Sequence, residues 1–179
     1  TDISRARAYA NLKEIDKAEE LFKKIIKKTN KKSGEAYFYY ALFLSDIENP
    51  QEAIKCYDMI LSIGASDDNV VRTLDKKGIE LDKLGEYQEA IKCYDKALSI
   101  DENNLAVWCN KSIALSKLGE DQEAIKCYDK VLSIEENDLF ALSNKGIAHD
   151  ELEEYQEAIK CYDQILLIDE NNVGALNNK

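Results

Sequence analysis

Five cysteines and one histidine are the side chains of this sequence that are best suited to chemistry beyond packing. Four of the cysteines occupy the same place in a repeated heptapeptide, Glu-Ala-Ile-Lys-Cys-Tyr-Asp: Cys56, Cys93, Cys127 and Cys161. Regularly spaced thiols could hold zinc or form disulfides, and a histidine could act as a general base. Whether any of this chemistry is available depends on the elements that carry these residues.

The heptapeptide itself shows what those elements are. Its copies occupy residues 52–58, 89–95, 123–129 and 157–163, so the last three are 34 residues apart and the first lies 37 before the second. A period of this size is typical of one helical hairpin, which cannot bury its apolar face alone and stacks on its neighbours. The sequence therefore predicts a stacked array of hairpins.

Stacking argues against metal or redox chemistry at the recurring cysteine. Packed helices lie about 8–10 Å apart, beyond the roughly 7 Å Cα separation that a disulfide tolerates. Zinc–sulfur bonds of about 2.3 Å cannot bridge that gap either. Cys109 is the fifth cysteine, and the sequence contains no Cys-x-x-Cys pair. We expect the thiols to be small buried groups in a reducing, cytoplasmic environment, with no metal and no cofactor.

The formal charge of −11 is unevenly distributed. Residues 1–32 contain ten Lys and Arg against five Asp and Glu, so they carry +5 and the remainder carries −16. An acidic array repels phosphate, and we expect no nucleic-acid partner. We interpret the basic cluster near the start as a solvated helix end: Lys23, Lys24, Lys27, Lys28, Lys31 and Lys32. No run of 18 apolar residues occurs, so we expect no membrane partner.

Residues 71–104 show the pattern of one hairpin. Apolar or small residues recur at three- and four-residue steps along a first helix: Leu74, Gly78, Leu81 and Leu84. Gly85 is then expected to end this helix in the left-handed conformation. A second apolar stripe follows: Ala90, Ile91, Tyr94, Ala97 and Leu98. Small residues at Gly78 and Ala90 would let the two helices approach closely, with Tyr94 filling the space opposite.

This pattern resembles the tetratricopeptide repeat (TPR) family, whose 34-residue repeat has a large residue at position 4, small residues at 8 and 20, an aromatic at 24 and a small residue at 27. In that order, the four regular repeats supply Tyr37, Ala41, Ala53, Tyr57 and Ile60; Leu74, Gly78, Ala90, Tyr94 and Ala97; Trp108, Ser112, Ala124, Tyr128 and Val131; and Leu142, Gly146, Ala158, Tyr162 and Ile165. Residues 1–32 fit loosely, through Ala6, Ala18, Phe22 and Ile25.

The resemblance implies an all-α fold, an α-solenoid wound as a right-handed superhelix of antiparallel helix-turn-helix hairpins. We expect a single array over residues 1–179. Its approximate repeats are 1–32, which is degenerate, 34–69, with an insertion near Gly64-Ala65-Ser66, 70–104, 105–138 and 139–172, with 173–179 starting a further helix. Position 7 holds Lys77, Lys111 and Lys145, whose ammonium groups we expect to lie in water.

Nothing in the sequence predicts catalysis. His149 occupies a position that holds Leu81 and Leu115 in neighbouring repeats, so we expect it to be packed with a satisfied ring nitrogen. Phosphate-binding loops, nucleophile elbows and His-Glu-x-x-His patterns are absent from the sequence. Carboxylates come in runs such as Asp101-Glu102, in the connections between hairpins. The sequence therefore favours a protein that is not an enzyme.

In arrays of this family the first helix of each repeat lines the concave groove, through positions 2, 5, 6, 9, 12 and 13. Carried over to this chain, those positions predict a partner-binding groove of Phe38, Tyr39, Leu42, Arg72, Asp75, Lys76, Ile79, Cys109, Asn110, Ile113, Lys117, Phe140, Asn144, Ile147 and Asn178. An apolar column of Leu and Ile at position 9 could hold an amphipathic helix or an extended apolar segment. The Asn110–Asn144–Asn178 series resembles the asparagine ladder by which some TPR arrays bind a peptide backbone.

The TPR clamp for chaperone tails is not matched. The clamp needs Lys, Asn, Asn, Lys and Arg at five positions, which correspond here in that order to Asp75, Ile79, Asn110, Phe140 and Asn144, so Asn110 alone fits. Asp75 has the wrong charge for a terminal carboxylate, so we expect no binding of that kind.

The expected function is thus a non-enzymatic scaffold that binds a peptide or helix of a partner protein. One alternative is a structural module that self-associates end to end through exposed apolar residues, for which Ile165, Leu166 and Leu176 are candidates. A less favoured alternative is an RNA-binding helical repeat, which the acidic balance opposes.

Overall fold

The structure is a computed structural model that describes residues 1–30, 32–64 and 66–179. Lys31 of the basic cluster and Ala65 of the expected insertion lie outside the described residues. Within the described part, eleven α-helices and no strand are present, which confirms the all-α prediction. The helices are α1 (Asp2–Asn11), α2 (Ile15–Lys28), α3 (Gly34–Asp46), α4 (Pro50–Ile63), α5 (Asp67–Lys83), α6 (Tyr87–Ile100), α7 (Leu105–Lys117), α8 (Asp121–Ile134), α9 (Leu139–Glu151), α10 (Tyr155–Ile168) and α11 (Val173–Asn178).

The chain divides into two compact units, Thr1–Glu86 with α1 to α5 and Tyr87–Lys179 with α6 to α11. In the first unit α1 packs on α2, α3 on α4 and α4 on α5, and α3 also contacts α1 and α2. In the second unit each helix packs on the next one along the chain, from α6 through α11. Each unit is therefore a stack of helical hairpins, as expected of a solenoid. None of the described helices combines the length and apolar character needed to cross a lipid bilayer.

Polar residues in the connections cap the start of three first helices, α7, α9 and α11. The side chains of Asn104, Asp138 and Asn172 accept hydrogen bonds from backbone N–H groups three residues later, at 3.2, 2.7 and 3.0 Å. These bonds satisfy donors that the first turn of a helix leaves without a partner. Asn49 does the same for α4, which has Pro50 in its first turn.

The turn inside each hairpin has one residue in the left-handed region. Gly85 and Gly119 have φ values of +76° and +74°, which confirms the expected cap at Gly85. Lys13, Glu48 and Glu153 have φ values of 58°, 58° and 60° at the equivalent turns. The turn geometry therefore persists where no glycine relieves the contact between Cβ and backbone.

Four buried tyrosines form the repeating centre of the core: Tyr57, Tyr94, Tyr128 and Tyr162. In the last hairpin, Tyr162 faces Gly146, the small residue that the sequence pattern anticipated. A Cβ placed on Gly146 would lie 2.6 Å from Cε1 of Tyr162, which is shorter than van der Waals contact. The glycine therefore makes room for the ring.

Lysine–aspartate bridges connect successive hairpins, which corrects the expectation that the position-7 ammonium groups lie in water. Each Lys Nζ lies within 2.6 Å of the Asp carboxylate that ends the heptapeptide of the preceding hairpin. The pairs are Lys77–Asp58, Lys111–Asp95, Lys145–Asp129 and Lys179–Asp163. The lysines of the first three pairs are largely covered, so the bridges help to hold adjacent hairpins in register.

Candidate functional site

The fifteen residues predicted to form the groove all lie on first helices of hairpins. Helix α3 carries three of them, α5 and α7 four each, α9 three and α11 one. They are divided between the two units, and each unit contains its own surface concavity.

In the second unit, a concavity of about 590 Å³ brings together four of the predicted residues: Ile113, Lys117, Asn144 and Ile147. The structure adds Ser116, Leu118, Gly119, Asp121, Tyr128, Ala148 and Glu151 to its lining. Ile147 is 42% exposed, and Ile113 is half-buried on the neighbouring first helix. The two isoleucines therefore give the concavity an apolar surface that is partly open to solvent.

Charged groups of both signs surround those isoleucines. The Lys117 ammonium lies 5.4 Å from the centre of the Tyr87 ring, close enough for a cation–π contact. Asp121 and Glu151 contribute carboxylates to the same lining. An apolar strip with a polar rim is the surface that an amphipathic peptide requires.

The asparagine series is partly occupied by bonds within the protein. Asn144 Nδ2 donates a 2.8 Å hydrogen bond to the carbonyl of Phe140 on its own helix. Asn178 hydrogen-bonds the hydroxyl of Tyr162, which in turn donates to Asp150 at 2.7 Å. Asn144 and Asn178 thus already have partners within the protein, and Asn144 keeps its carbonyl oxygen for an incoming N–H group.

In the first unit, a concavity of about 450 Å³ contains Phe38, Tyr39 and Arg72 of the predicted set. Lys32, Glu35, Asn69 and Thr73 are among the other lining residues. The Arg72 guanidinium lies over the Phe38 ring, 4.1 Å from its centre, and Phe38 is only 8% exposed. Phe38 belongs to the core of the first unit, so it offers a ligand little open surface, although the sequence had suggested it as an open contact.

The remaining predicted residues lie outside both concavities. Leu42 packs against the core of the first unit, and Asp75 is buried with its carboxylate 3.4 Å from the Lys76 ammonium. Phe140 is exposed but does not line the concavity beside it. The half-buried or exposed residues Ile79, Cys109, Asn110 and Asn178 complete this group.

Sequence reasoning missed two features of the first unit. Arg7 lies over the Tyr39 ring, 4.4 Å from its centre. A signal was available, because Arg7 follows Ala6, the small residue at position 8, and so occupies a groove position of the degenerate first repeat. The second feature is the buried Glu80, which accepts hydrogen bonds from Ser45 at 2.6 Å and Lys83 at 2.9 Å. No periodic signal marks Glu80, since Ala114 and Ala148 occupy its place in later repeats.

The thiols and the histidine lie in packing positions. Burial raises the pKa of Cys127 and of Cys109 to about 11, so both thiols stay protonated at neutral pH and are weak nucleophiles. His149 is buried, with Nδ1 2.6 Å from Oε2 of Glu154, which confirms the expectation of a packed, satisfied ring. Within the described residues, no group of three or more His, Cys, Asp or Glu side chains is arranged to hold a metal ion.

Known structures share this architecture. A crystal structure of MamA protein is 20% identical in sequence, and the alignment covers 94% of this chain and 90% of that one with a TM-score of 0.84. A crystal structure of YrrB, described as a TPR protein with an unusual peptide-binding site, is 20% identical over 98% of this chain and 89% of that one, with a TM-score of 0.78. The first TPR of Spaghetti (RPAP3), bound to the HSP90 peptide SRMEEVD, is 30% identical over 60% of this chain and 85% of that one, with a TM-score of 0.56.

Sequence comparison with curated proteins finds no match. Family models described as tetratricopeptide repeat match residues 3–69, 76–104, 105–138 and 140–172. These ranges include most of the chain and agree with the hairpins, the buried tyrosines and the solenoid neighbours described above. The chain belongs to the tetratricopeptide repeat family.

Proposed function

We propose that this protein is a non-enzymatic interaction scaffold, a single cytoplasmic array whose first helices bind a peptide or helix of a partner protein. The observation that carries the proposal is the concavity of the second unit, where Ile113 and Ile147 lie on neighbouring first helices inside a polar rim. The peptide-binding TPR proteins among the structural neighbours support it by analogy.

An amphipathic helix or an extended apolar segment suits this surface best. Its apolar residues would cover Ile113 and Ile147, while Lys117 and Glu151 would contact its polar side chains. The carbonyl oxygen of Asn144 would accept one backbone N–H group, a smaller role than the full asparagine ladder.

Other ligand classes have less support. Four of the five residues at the chaperone-clamp positions do not match the clamp, among them the negatively charged Asp75, and the net charge of −11 opposes nucleic acid. We therefore propose a protein partner, without a cofactor, a metal or a membrane surface.

A photo-crosslinking amino acid at Ile113 tests the proposal. In cell extract it is expected to capture a protein that the same group at Lys126, which is exposed on α8, does not capture. With the captured protein purified, Ile113→Asp is expected to weaken its binding about tenfold to a hundredfold, because a buried Ile contributes about 1.5–3 kcal/mol. Equal capture at both sites, or no effect of Ile113→Asp on affinity measured by calorimetry, would exclude the groove.

A second candidate function, end-on self-association, is favoured by one observation. Leu167, Val173 and Leu176, near the carboxyl end of the second unit, are 87%, 68% and 56% exposed. The sequence-based choice of Ile165 for this surface was wrong. Ile165 is 1% exposed, because it packs into the core of the last hairpin beside the half-buried Leu166.

Sedimentation distinguishes the two functions. If the exposed leucines mediate self-association, the sedimentation coefficient rises with protein concentration, and Leu167→Asp abolishes that rise while Ile113→Asp leaves it unchanged. A coefficient that is independent of concentration in the unmodified protein would eliminate this candidate and leave the groove proposal intact.

A further inference from the structure

Four side chains of the first unit form a continuous row across its three first helices. The Arg7 guanidinium on α1 lies 4.4 Å from the centre of the Tyr39 ring on α3. The Tyr39 and Phe38 rings meet edge to face, with centres 6.0 Å apart. The Arg72 guanidinium on α5 lies 4.1 Å from the centre of the Phe38 ring. We call these four residues the arginine–aromatic row.

Both guanidiniums of the row have hydrogen-bond donors available. Arg7 and Arg72 are exposed, and no carboxylate among the described residues lies within ion-pair distance of either. Arg72 donates one hydrogen bond, at 3.0 Å, to the side chain of Asn69. By contrast, Arg5 on the same helix as Arg7 lies 3.8 Å from Asp2. Since a guanidinium has five N–H donors, the row retains most of its capacity to bind an anion.

Contact with an aromatic ring restricts where a guanidinium can lie. The guanidinium carbons of Arg7 and Arg72 lie over their rings, 4.4 and 4.1 Å from the ring centres, close enough for cation–π attraction to hold both cations there. Two parallel N–H groups match the two oxygens of a carboxylate, which makes such pairs short and specific. The row therefore has two guanidiniums that are held at aromatic rings and can each bind a carboxylate, with the two aromatic side chains between them.

The arginines of this acidic chain are concentrated in the row. The protein carries −11 and contains three arginines, two of which are in the row. Lys32 and Glu35, which also line the concavity, contribute one charge of each sign. The positive charge available to a ligand at this place therefore comes from Arg7 and Arg72.

We propose that the arginine–aromatic row binds an acidic segment of a partner protein. The segment carries two Asp or Glu side chains, one for each guanidinium, and an apolar side chain between them against Tyr39. This inference rests on the proposed scaffold function and specifies the chemistry of the partner at the first unit. An acidic peptide fits better than nucleic acid, because the chain as a whole carries −11 and repels a long polyanion, whereas a short segment contacts the row alone.

The test uses a terminally blocked peptide that contains two Glu residues separated by Leu and flanked by Gly and Ser, with a fluorescent label for anisotropy. Arg7→Gln and Arg72→Gln are each expected to weaken binding about tenfold, since a hydrogen bond to a charged group contributes roughly that factor. Arg5→Gln is the matched control: it removes the same charge from α1 but touches no ring, and the affinity should stay unchanged. An equal loss in all three variants would overturn the proposal.

Two further comparisons separate the row from general electrostatics and from packing. Arg72→Lys keeps the charge but loses the planar fork, so binding should weaken nearly as much as in Arg72→Gln. Full affinity in Arg72→Lys would contradict the proposal. If the arginines merely cover the rings, the Gln variants lower the melting temperature but the peptide binds none of the proteins, and the proposal fails.

The choice of ligand is tested by changing the probe. Replacing both Glu residues of the peptide by Gln should abolish binding, and a single-stranded polyuridylate of similar length should bind more weakly than the acidic peptide. Preference for the RNA would overturn the inference. Failure of crosslinking at Ile113, in the second unit, would remove the groove proposal without affecting this measurement, so the two failures are distinguishable.

Discussion

Tyr128→Ala is expected to lower the free energy of unfolding by about 3–5 kcal/mol, the usual cost of deleting a buried aromatic side chain. Tyr128 is 1% exposed, and it packs in a cluster with Leu115 and Val131. Ser112 and Ser116 hydrogen-bond its hydroxyl, so the substitution also leaves these hydroxyl groups without that partner. The same ring contributes to the concavity of the second unit, and its loss should weaken partner binding there.

Urea denaturation followed by circular dichroism and by tryptophan fluorescence measures this effect. Trp108, the single tryptophan, lies in the second unit and packs against the cluster that contains Tyr128. Its fluorescence therefore reports on the part of the protein where the change is made. Tyr155→Ala is the control, because Tyr155 is exposed on α10 and its loss should cost less than about 0.5 kcal/mol. Similar midpoints for the two variants would contradict the assignment of Tyr128 to the core.

Gly146→Ala is expected to destabilise the protein by about 1–3 kcal/mol, the cost of overpacking a core. Alanine is intrinsically the better helix former by about 1 kcal/mol, so a surface site would show the opposite sign. At Gly146 the new methyl group would lie 2.6 Å from the Tyr162 ring. The ring cannot easily move aside, because it is buried and its hydroxyl donates a hydrogen bond to Asp150.

Gly34→Ala is the matched control for this substitution. A Cβ at Gly34, the first residue of α3, would have its nearest contact at an ordinary 4.0 Å, with Ile60. The control should be neutral or slightly more stable, since alanine reduces the entropy of the unfolded chain. A gain in melting temperature for both variants, measured by calorimetry, would show that the Tyr162 ring repositions without cost.

The framework of this protein was predictable because its contacts are local or between neighbouring hairpins. The spacing of Gly78 and Ala90 from Tyr94 predicted a small–aromatic pairing, and the equivalent pair Gly146 and Tyr162 makes this contact in the last hairpin. Asn104 and Asp138 are of residue types that favour helix starts, and both side chains accept capping bonds from the first turn of the helix that follows. Each repeat is stable only when it packs on the next one, so the residues that make this contact recur at a fixed spacing in the sequence.

The candidate binding surfaces were less predictable. The register of the first helices identified Ile113 and Ile147 as neighbours, and the second unit does bring them into one concavity. The same register could not show that Asn144 uses its amide on its own helix. Nor could it show that Lys111 reaches an aspartate of the preceding hairpin, since a lysine stem can extend in several directions.

The repeats alone therefore specify the family, the hairpins and the buried tyrosines, because a periodic pattern records contacts that recur at every hairpin. The arginine–aromatic row carries no period: Arg7, Tyr39 and Arg72 come from three repeats and occupy three different positions within them. Their meeting depends on how the first helices pack side by side and on which rotamers that packing allows. Contacts within the framework recur in every repeat, so the sequence alone predicts them. The contacts that would recognise a partner occur only once, so they are seen only in the tertiary structure.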